Sequence, residues 1–199
     1  MSSPALETDR AILRPLLPTD APALGTAMRD SNGTETITFD PPARTADEGT
    51  ERALARIEEF AKHWDRHGFG IFGAFDRQTE LLVGYCGFRH IEEFDNDVHL
   101  STMVDRPYWS GGLASEIIRR NLEYVFLERD FDIVYTATKE FDGPSVQITK
   151  RFGFNREDDR TLRQWSVCYY NLSREEFLAR HVAYLKQRLL DLNTGRAAQ

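Results

Sequence analysis

The stretch that decides the fold of this chain is VHLSTMVDRPYWSGGLASE, which runs from Val98 to Glu116. Its first half is rich in β-branched and apolar residues, which suit an extended strand. Pro107 then marks a turn, because proline disfavours helix in the residue before it. Gly111 and Gly112 open a pattern with apolar residues at three- and four-residue steps, which predicts a helix. Glycines at a helix start let an anion approach backbone N–H groups, so the stretch predicts a site for a phosphate-bearing cofactor.

Composition places the chain among ordinary globular proteins. Of its 199 residues, 41% are hydrophobic and 29% are charged, which fits one domain with a sizeable core. The formal net charge of -7 argues against a nucleic-acid partner, because such proteins are usually basic. No segment approaches the ~20 apolar residues of a membrane span, and the first ten residues hold no apolar signal core. We therefore expect a cytoplasmic protein with no membrane partner. Its 2 cysteines are too few for a disulfide scaffold or a metal cluster, and we expect no metal.

The rest of the chain reads as alternating groups of strands and helices. Two capping boxes, Thr45 with Glu48 and Ser173 with Glu176, mark helix starts. Consecutive hairpin strands followed by a β-α-β order predict a mixed sheet with helices on its faces. The predicted elements are strand Ala11–Leu16, helix Pro18–Arg29, loop Ser31–Arg44, helix Thr45–Gly68, strands Phe69–Phe75 and Leu81–Ile91 joined as a hairpin, strand Val98–Val104, helix Leu113–Glu128, strand Asp132–Lys139, helix Ser145–Phe152, strand Thr161–Leu172 and helix Ser173–Asn193.

Three short motifs of the chain occur in the order in which a known family has them. Residues 8–16, TDRAILRPL, follow the pattern Thr-x-Arg-Leu-x-Leu-Arg-Pro. Residues 108–116, YWSGGLASE, follow Tyr-Trp-Gly-x-Gly-Tyr-Ala-Thr-Glu. Residues 142–145, DGPS, with Gly-Phe at 153–154, follow Asn-x-x-Ser and its later Gly-Phe. Together they resemble the GNAT superfamily of acyl-CoA N-acyltransferases, in particular its RimJ/RimL-like branch of ribosomal-protein N-terminal acetyltransferases.

The resemblance implies an α+β (mixed α/β) fold of the GNAT type. Its central twisted sheet would be mostly antiparallel, with about six to seven strands splayed between strands 4 and 5, helices on both faces and an extra C-terminal helix. The chain would form a single domain over residues 1–199, with a core at about 8–172 and the last helix at about 173–193. That helix packs on the domain or makes a dimer contact, so monomer and homodimer both remain open.

The resemblance also implies a reaction. Acetyl-CoA, or another acyl-CoA, would give its acyl group to a primary amine, either a protein N-terminus or a small molecule, by direct attack and without a metal. Backbone groups of the strand end would hold the acyl arm and polarise the carbonyl, and the loop would wrap the pyrophosphate. A hydroxyl on the later short helix would act as general acid. The implied cofactor-binding residues are Met103, Val104, Trp109, Ser110, Gly111, Gly112, Leu113, Ala114, Ser115, Asp142 and Ser145.

This chain departs from the family pattern in four places. Ser110 replaces the first loop glycine, which leaves open whether the loop is shifted by one residue. Leu113 replaces an aromatic residue, and Asp142 replaces an asparagine and so accepts but does not donate. His99 stands where the branch often has a glutamate. Histidine ordinarily has a pKa of ~6.5, which suits proton transfer at neutral pH, so His99 would serve as the base, alongside Ser145 as acid. A water as base and a packing role for His99 both stay open.

Two other classes of function compete with the enzyme. A GNAT-fold module that binds acyl-CoA without turnover is favoured by the departures at His99, Ser110 and Asp142. Another kind of nucleotide-binding protein is disfavoured, since the chain has neither Gly-Lys-Ser/Thr nor G-x-G-x-x-G. An anionic cofactor needs local positive charge, and at least one of five basic residues is expected to supply it. These are Arg119, Arg120, Lys139, Lys150 and Arg151.

Overall fold

The structure is a computed structural model that describes residues 4–29, 41–140, 143–162 and 165–193, with side chains as far as Gln187. It divides the chain into two compact units, Met1–Asp130 and Phe131–Gln199. Each unit is described separately, and the single domain stays a prediction. In the described part of the chain, no helix is both long enough and apolar enough to cross a bilayer.

The first unit is built on five antiparallel strands that lie side by side in chain order. They are β1 (Leu6–Glu7), β2 (Ala11–Pro15), β3 (Ile71–Asp76), β4 (Leu82–Ile91) and β5 (Asp97–Val104). The hairpin expected from two apolar runs and a polar turn is therefore confirmed as β3–β4. β5 also begins and ends within one residue of its predicted bounds.

Helices cover both faces of this sheet. α1 (Ala21–Ala27) and α2 (Ala46–His67) share a buried cluster with Tyr85 and Met103 from one face. α3 (Leu113–Glu123) contacts β4 and β5, and continues as a single π-helical turn. The three helices that periodicity predicts for this unit are thus present.

The long helix α2 shows how local signals set its ends. Thr45 Oγ1 accepts the Glu48 amide at 3.1 Å, as the capping box predicts. The Glu48 carboxylate, however, accepts the Arg44 amide at 2.7 Å rather than the Thr45 amide. Gly68 ends the helix at φ 71, a left-handed conformation in which glycine has no steric cost.

Gly84 explains why β4 and β5 come so close at one end. Its φ is 148, a Cβ there would overlap the Met103 carbonyl oxygen, and the β3–β4 register shifts beside it. Glycine inside a strand is typical of a bulge or of a close backbone approach, and Gly84 shows both.

The second unit has a smaller antiparallel sheet. The elements of this unit are β6 (Ile133–Thr138), α4 (Gly143–Phe152), β7 (Asn155–Arg156), β8 (Arg160–Leu162), β9 (Trp165–Ser173) and α5 (Arg174–Asn193). β9 pairs with β6, β7 and β8, while α4 contacts β6 and α5 contacts β9. The predicted mixed α/β class with a mostly antiparallel sheet is confirmed, and the splay between the fourth and fifth predicted strands stays a prediction.

One predicted strand is wrong. Residues from Thr161 to Leu172 were expected to form one strand, but Leu162 pairs with Trp165, so the chain reverses between them. Residues 163–164 are Arg and Gln, which give no turn signal, and apolar alternation continues on both sides of the reversal.

Candidate functional site

The end of β5 is tied to the loop that follows it. Trp109 Nε1 donates to the Val104 carbonyl at 2.6 Å. The Asp105 amide donates to Val83 on β4, so by strand alternation the Val104 N–H and C=O point away from β4. Met103 and Val104 are buried, at 2% and 5% exposure. Of the two predicted backbone contacts, the Val104 N–H is the one that is not directed into the β4–β5 ladder.

The loop itself has two residues in the left-handed region. A short 3₁₀ turn covers Arg106–Tyr108, and the chain then passes through Ser110 at φ 67 and Gly112 at φ 77. Ser110 therefore holds the conformation that the family pattern gives to glycine, although a serine has a steric cost there. Gly111 lies outside the left-handed region, and the loop from Trp109 to Gly112 is exposed.

Gly112 is the N-cap of α3 and offers no side chain to cap it. The first intrahelical bond runs from the Glu116 amide to the Gly112 carbonyl at 3.1 Å. The amides of the first helical residues, Leu113 to Ser115, precede that bond and point out of the helix start. An exposed helix N-terminus with a glycine cap suits an anion, because the amides and the helix dipole both favour negative charge.

Arg10 fixes the loop from outside. Its Nη1 donates to the Gly111 carbonyl at 2.7 Å, its Nε to a Glu116 oxygen at 2.7 Å, and its backbone amide to the other oxygen at 2.8 Å. Burial raises the pKa of Glu116, but hydrogen bonds from Thr8 and Arg10 outweigh it, and the pKa lies below its usual value. Glu116 therefore stays ionised at neutral pH and holds Arg10 against the loop.

His99 lies inside the protein rather than on a surface. It is 1% exposed, and its ring stacks on Phe94 with centroids 4.9 Å apart. It shares one strand face with Ser101 and Met103, since alternate residues point the same way. Its role as base stays a prediction; the burial and the stacking support the packing alternative.

Polar groups that the sequence did not single out run beside His99. Arg89 is its partner in the β4–β5 ladder. The Arg89 guanidinium lies 3.5 Å from Ser101 Oγ and 2.5 Å from Glu59 on α2. Because Glu59 is half exposed, this line of contacts leads from solvent to the strand face that carries His99. The sequence carries no signal for this line, because the pairing of Arg89 with His99 and its contact with Glu59 are set by the fold.

The remaining predicted residues fall in the second unit or outside the described residues. Ser145 is the third residue of α4 and is half-buried. Asp142 lies outside the described residues. Among the basic candidates, Arg120 is paired with Glu128 at 2.8 Å and the Lys139 ammonium sits 3.7 Å from the Trp165 ring centre. Arg10, which was not among these candidates, is a cation that does touch the loop.

Comparisons with known proteins give the class. A family model described as an acetyltransferase (GNAT) domain matches residues 10–155. The uncharacterized N-acetyltransferase YoaA of Bacillus subtilis is 27% identical over 166 residues, which cover 81% of this chain and 88% of that protein. The architecture is thus that of an acyl-group transferase acting on nitrogen. The chain belongs to the GNAT acetyltransferase family, and it is an N-acetyltransferase.

Solved structures share the fold. A ribosomal-protein-S5-alanine acetyltransferase from Vibrio fischeri matches with a TM-score of 0.70 at 14% identity, over 87% of this chain and 98% of the other. RimL, a ribosomal L7/L12 α-N-protein acetyltransferase in complex with coenzyme A, matches with a TM-score of 0.68 at 13% identity, over 85% and 98%. The recognised family is confirmed, and members of the RimJ/RimL-like branch are among the chains with this fold.

Proposed function

We propose that the protein transfers an acetyl group from acetyl-CoA to a primary amine. The observation that carries the proposal is the loop before α3, where Gly112 caps the helix without a side chain and Arg10 secures the Gly111 carbonyl. A set of helix-start amides behind an exposed glycine loop and beside a buried strand end suits a ligand with a pyrophosphate and an acyl arm. Membership of an acetyltransferase family and a coenzyme A complex among the structural relatives support the same ligand.

Each part of the loop has its own task in this proposal. The amides from Leu113 to Ser115 bind the pyrophosphate oxygens. The Val104 N–H donates to the thioester carbonyl and stabilises the negative charge that develops on its oxygen. The amine attacks the carbonyl carbon directly and gives up a proton to the base, the carbon–sulfur bond breaks, and the leaving thiolate takes a proton from the acid. Because the attack is direct, no covalent enzyme intermediate forms. Most of the rate gain then comes from positioning and carbonyl polarisation.

We propose a protein N-terminus or a small-molecule amine as the acceptor, reached along the polar line of Glu59, Arg89 and Ser101. The net charge of -7 favours cationic amines by attraction, and two of the structural relatives are described as acting on ribosomal proteins. His99 as base and Ser145 as acid belong to this proposal, as do a cytoplasmic location, a single domain, and a monomer or homodimer.

The second candidate is a module that binds acyl-CoA without turnover. The burial of His99 at 1% exposure favours it, since a base that is closed to solvent exchanges protons slowly with an acceptor. Calorimetric titration with acetyl-CoA, paired with a free-thiol assay over peptides with free N-termini and small amines, separates the two. Thiol release in the presence of an amine supports the enzyme; binding without release for every amine supports the module.

The loop is tested by Gly112→Trp, which places a large side chain over the helix start. We expect loss of both acetyl-CoA binding and thiol release. The matched control is Gln78→Trp in the exposed turn between β3 and β4, which should leave both unchanged. If the wild-type protein binds no acetyl-CoA, or if Gly112→Trp binds it normally, the proposed cofactor site is wrong.

A further inference from the structure

Three of the five histidines meet where α2 ends. His63 and His67 lie one turn apart on α2, and His90 lies near the end of β4. Each offers a ring nitrogen, and these three atoms all lie within 4.8 Å of one another. The ring centroids are 4.5, 4.6 and 5.7 Å apart. All three side chains are half-buried and belong to the first unit. We refer to them as the three-histidine cluster.

Hydrogen bonds decide which nitrogen two of these rings present. His63 Nδ1 lies 2.9 Å from the Phe69 carbonyl oxygen, and His90 Nδ1 lies 2.5 Å from the Asn96 carbonyl oxygen. A carbonyl oxygen only accepts, so each Nδ1 carries the proton and each Nε2 carries the lone pair. Histidines that bind metals characteristically donate their other ring N–H to a backbone carbonyl in this way. Two of the three rings therefore already have the supporting hydrogen bond of a metal ligand.

Burial disfavours the charged form of two of the three rings, His63 and His67. Burial lowers the pKa of His63 to about 4, although the Phe69 hydrogen bond opposes this, and burial also lowers the pKa of His67. Neutral imidazole is the form that binds metals. Of the nearby cations, Arg89 is paired with Glu59, and Arg66 is exposed to solvent. The Glu59 carboxylate and the solvent weaken the repulsion that these two charges exert on the rings.

From this geometry we infer that His63, His67 and His90 form a binding site for a divalent transition-metal ion such as Zn²⁺. Nitrogens bound tetrahedrally at 2.0–2.1 Å stand about 3.3 Å apart, a distance that small side-chain rotations reach from the present spread. Imidazole nitrogens favour Zn²⁺, Cu²⁺ or Ni²⁺ over Mg²⁺ and Ca²⁺. The His63 Nε2 lone pair now accepts a hydrogen bond from the His90 backbone N–H at 3.1 Å, and an ion bound to this nitrogen would replace that hydrogen bond. Water would complete the coordination.

The role of such an ion is to fasten α2 to β4. His90 lies six positions along β4 from Gly84, about 20 Å in an extended strand, and Gly84 is where β4 meets the end of β5. An ion at the cluster would therefore lie too far from the end of β5 to touch the thioester carbonyl. The inference revises the expectation that the chain holds no metal, because that expectation considered only cysteine patterns.

The test is a Zn²⁺ titration of tag-free protein in competition with a chromophoric chelator. We expect one ion per chain with a dissociation constant of about 1 μM or tighter. His67→Gln should weaken binding at least about 100-fold, the upper end of what the loss of a supporting partner alone costs. His67 makes ring contacts but no hydrogen bond among the described residues, so this variant should fold, and circular dichroism checks that it does. Arg66→Gln, one residue away and exposed, is the matched control and should keep the wild-type affinity.

Thermal unfolding gives a second readout. An ion that binds only the folded chain raises the melting temperature, so Zn²⁺ should stabilise wild type and Arg66→Gln and leave His67→Gln unchanged. Co²⁺ should show the visible absorption of tetrahedral coordination in the same two proteins. Wild-type affinity no tighter than about 1 mM, or equal affinity in folded His67→Gln, would overturn the inference.

Discussion

The neighbouring glycines of the loop should respond to alanine with opposite signs. Gly112 has φ 77, whereas Gly111 lies outside the left-handed region and a Cβ there would meet only Arg10 Nη1, at 3.8 Å. An L-residue in the left-handed region costs about 1–2 kcal/mol. Replacing glycine by alanine also removes about 0.4–1 kcal/mol of unfolded-state entropy, which stabilises the protein. Gly112→Ala should therefore lower the free energy of unfolding by about 0.5–1 kcal/mol, and Gly111→Ala should raise it by about 0.4–1 kcal/mol.

Urea unfolding measures both changes, provided that the slopes of the transitions agree, and melting temperatures should move by about 2–4 °C per kcal/mol in opposite directions. Ser110→Gly supplies a third arm. Because Ser110 sits at φ 67, glycine should relieve strain there and stabilise the protein by about 0.5–1 kcal/mol. A loop shifted by one residue would place the left-handed backbone at Gly111. Destabilisation by Gly111→Ala with stabilisation by Gly112→Ala would thus refute the loop geometry.

Three further outcomes follow from the packing and charges of the first unit. Gly49→Ala should destabilise the protein by about 1–3 kcal/mol in urea unfolding, because a Cβ there would lie 2.6 Å from the Gly25 carbonyl oxygen where α2 crosses α1. Burial raises the pKa of Asp20, but hydrogen bonds led by that from Arg14 lower it by more, so the pKa lies below its usual value of 3.8. The ionised carboxylate should therefore stabilise the protein fully above pH 3.8, and this stabilisation should disappear as the pH falls through the lowered pKa. Acid-unfolding curves of Asp20→Asn should not show this loss. Burial raises the pKa of Cys86 to about 12, so native protein at pH 8 should not be alkylated there by iodoacetamide, as peptide mass mapping can check.

Controls and contradicting results define these outcomes further. Gly143→Ala, where a Cβ would meet nothing within 4 Å, should not destabilise the protein as Gly49→Ala does. Asp20→Asn with the same acid midpoint and the same loss as wild type would contradict the role of its pairing with Arg14. Alkylation in urea should modify Cys86, and equal modification of the native chain would show that β4 opens far more readily than its burial implies.

Local signals were sufficient where a residue acts on its chain neighbours. The ends of α2 depended on Thr45 and Gly68, both readable from capping preferences, and β5 followed from its run of strand-forming residues. The loop before α3 was recognised for the same reason, since two glycines before an amphipathic run are a local pattern. The reversal between Leu162 and Trp165 was missed because the residues between them carry no turn preference.

Contacts between distant parts of the chain were out of reach. Arg10 is 106 residues from Glu116 in sequence, and nothing near either residue indicates that they meet. Only part of the three-histidine cluster can be predicted from the sequence. His63 and His67 are spaced to share a helix face, but His90 joins them only through the packing of α2 near the end of β4. For His99, the alternation of strand residues did not decide whether the side chain faces the core or the solvent. Only the fold shows that it is buried.

The loop is held in shape by the protein itself, and this bears on how it would bind acetyl-CoA. Trp109 attaches it to the end of β5. Arg10, the residue that precedes β2, binds the Gly111 carbonyl of the loop and, through Glu116, the first turn of α3. Its helix-start amides are thus oriented before any ligand arrives, which reduces the entropy lost on binding. The same attachments explain how Ser110 can replace glycine at φ 67, because strain of this size persists where the surrounding contacts over-determine the backbone.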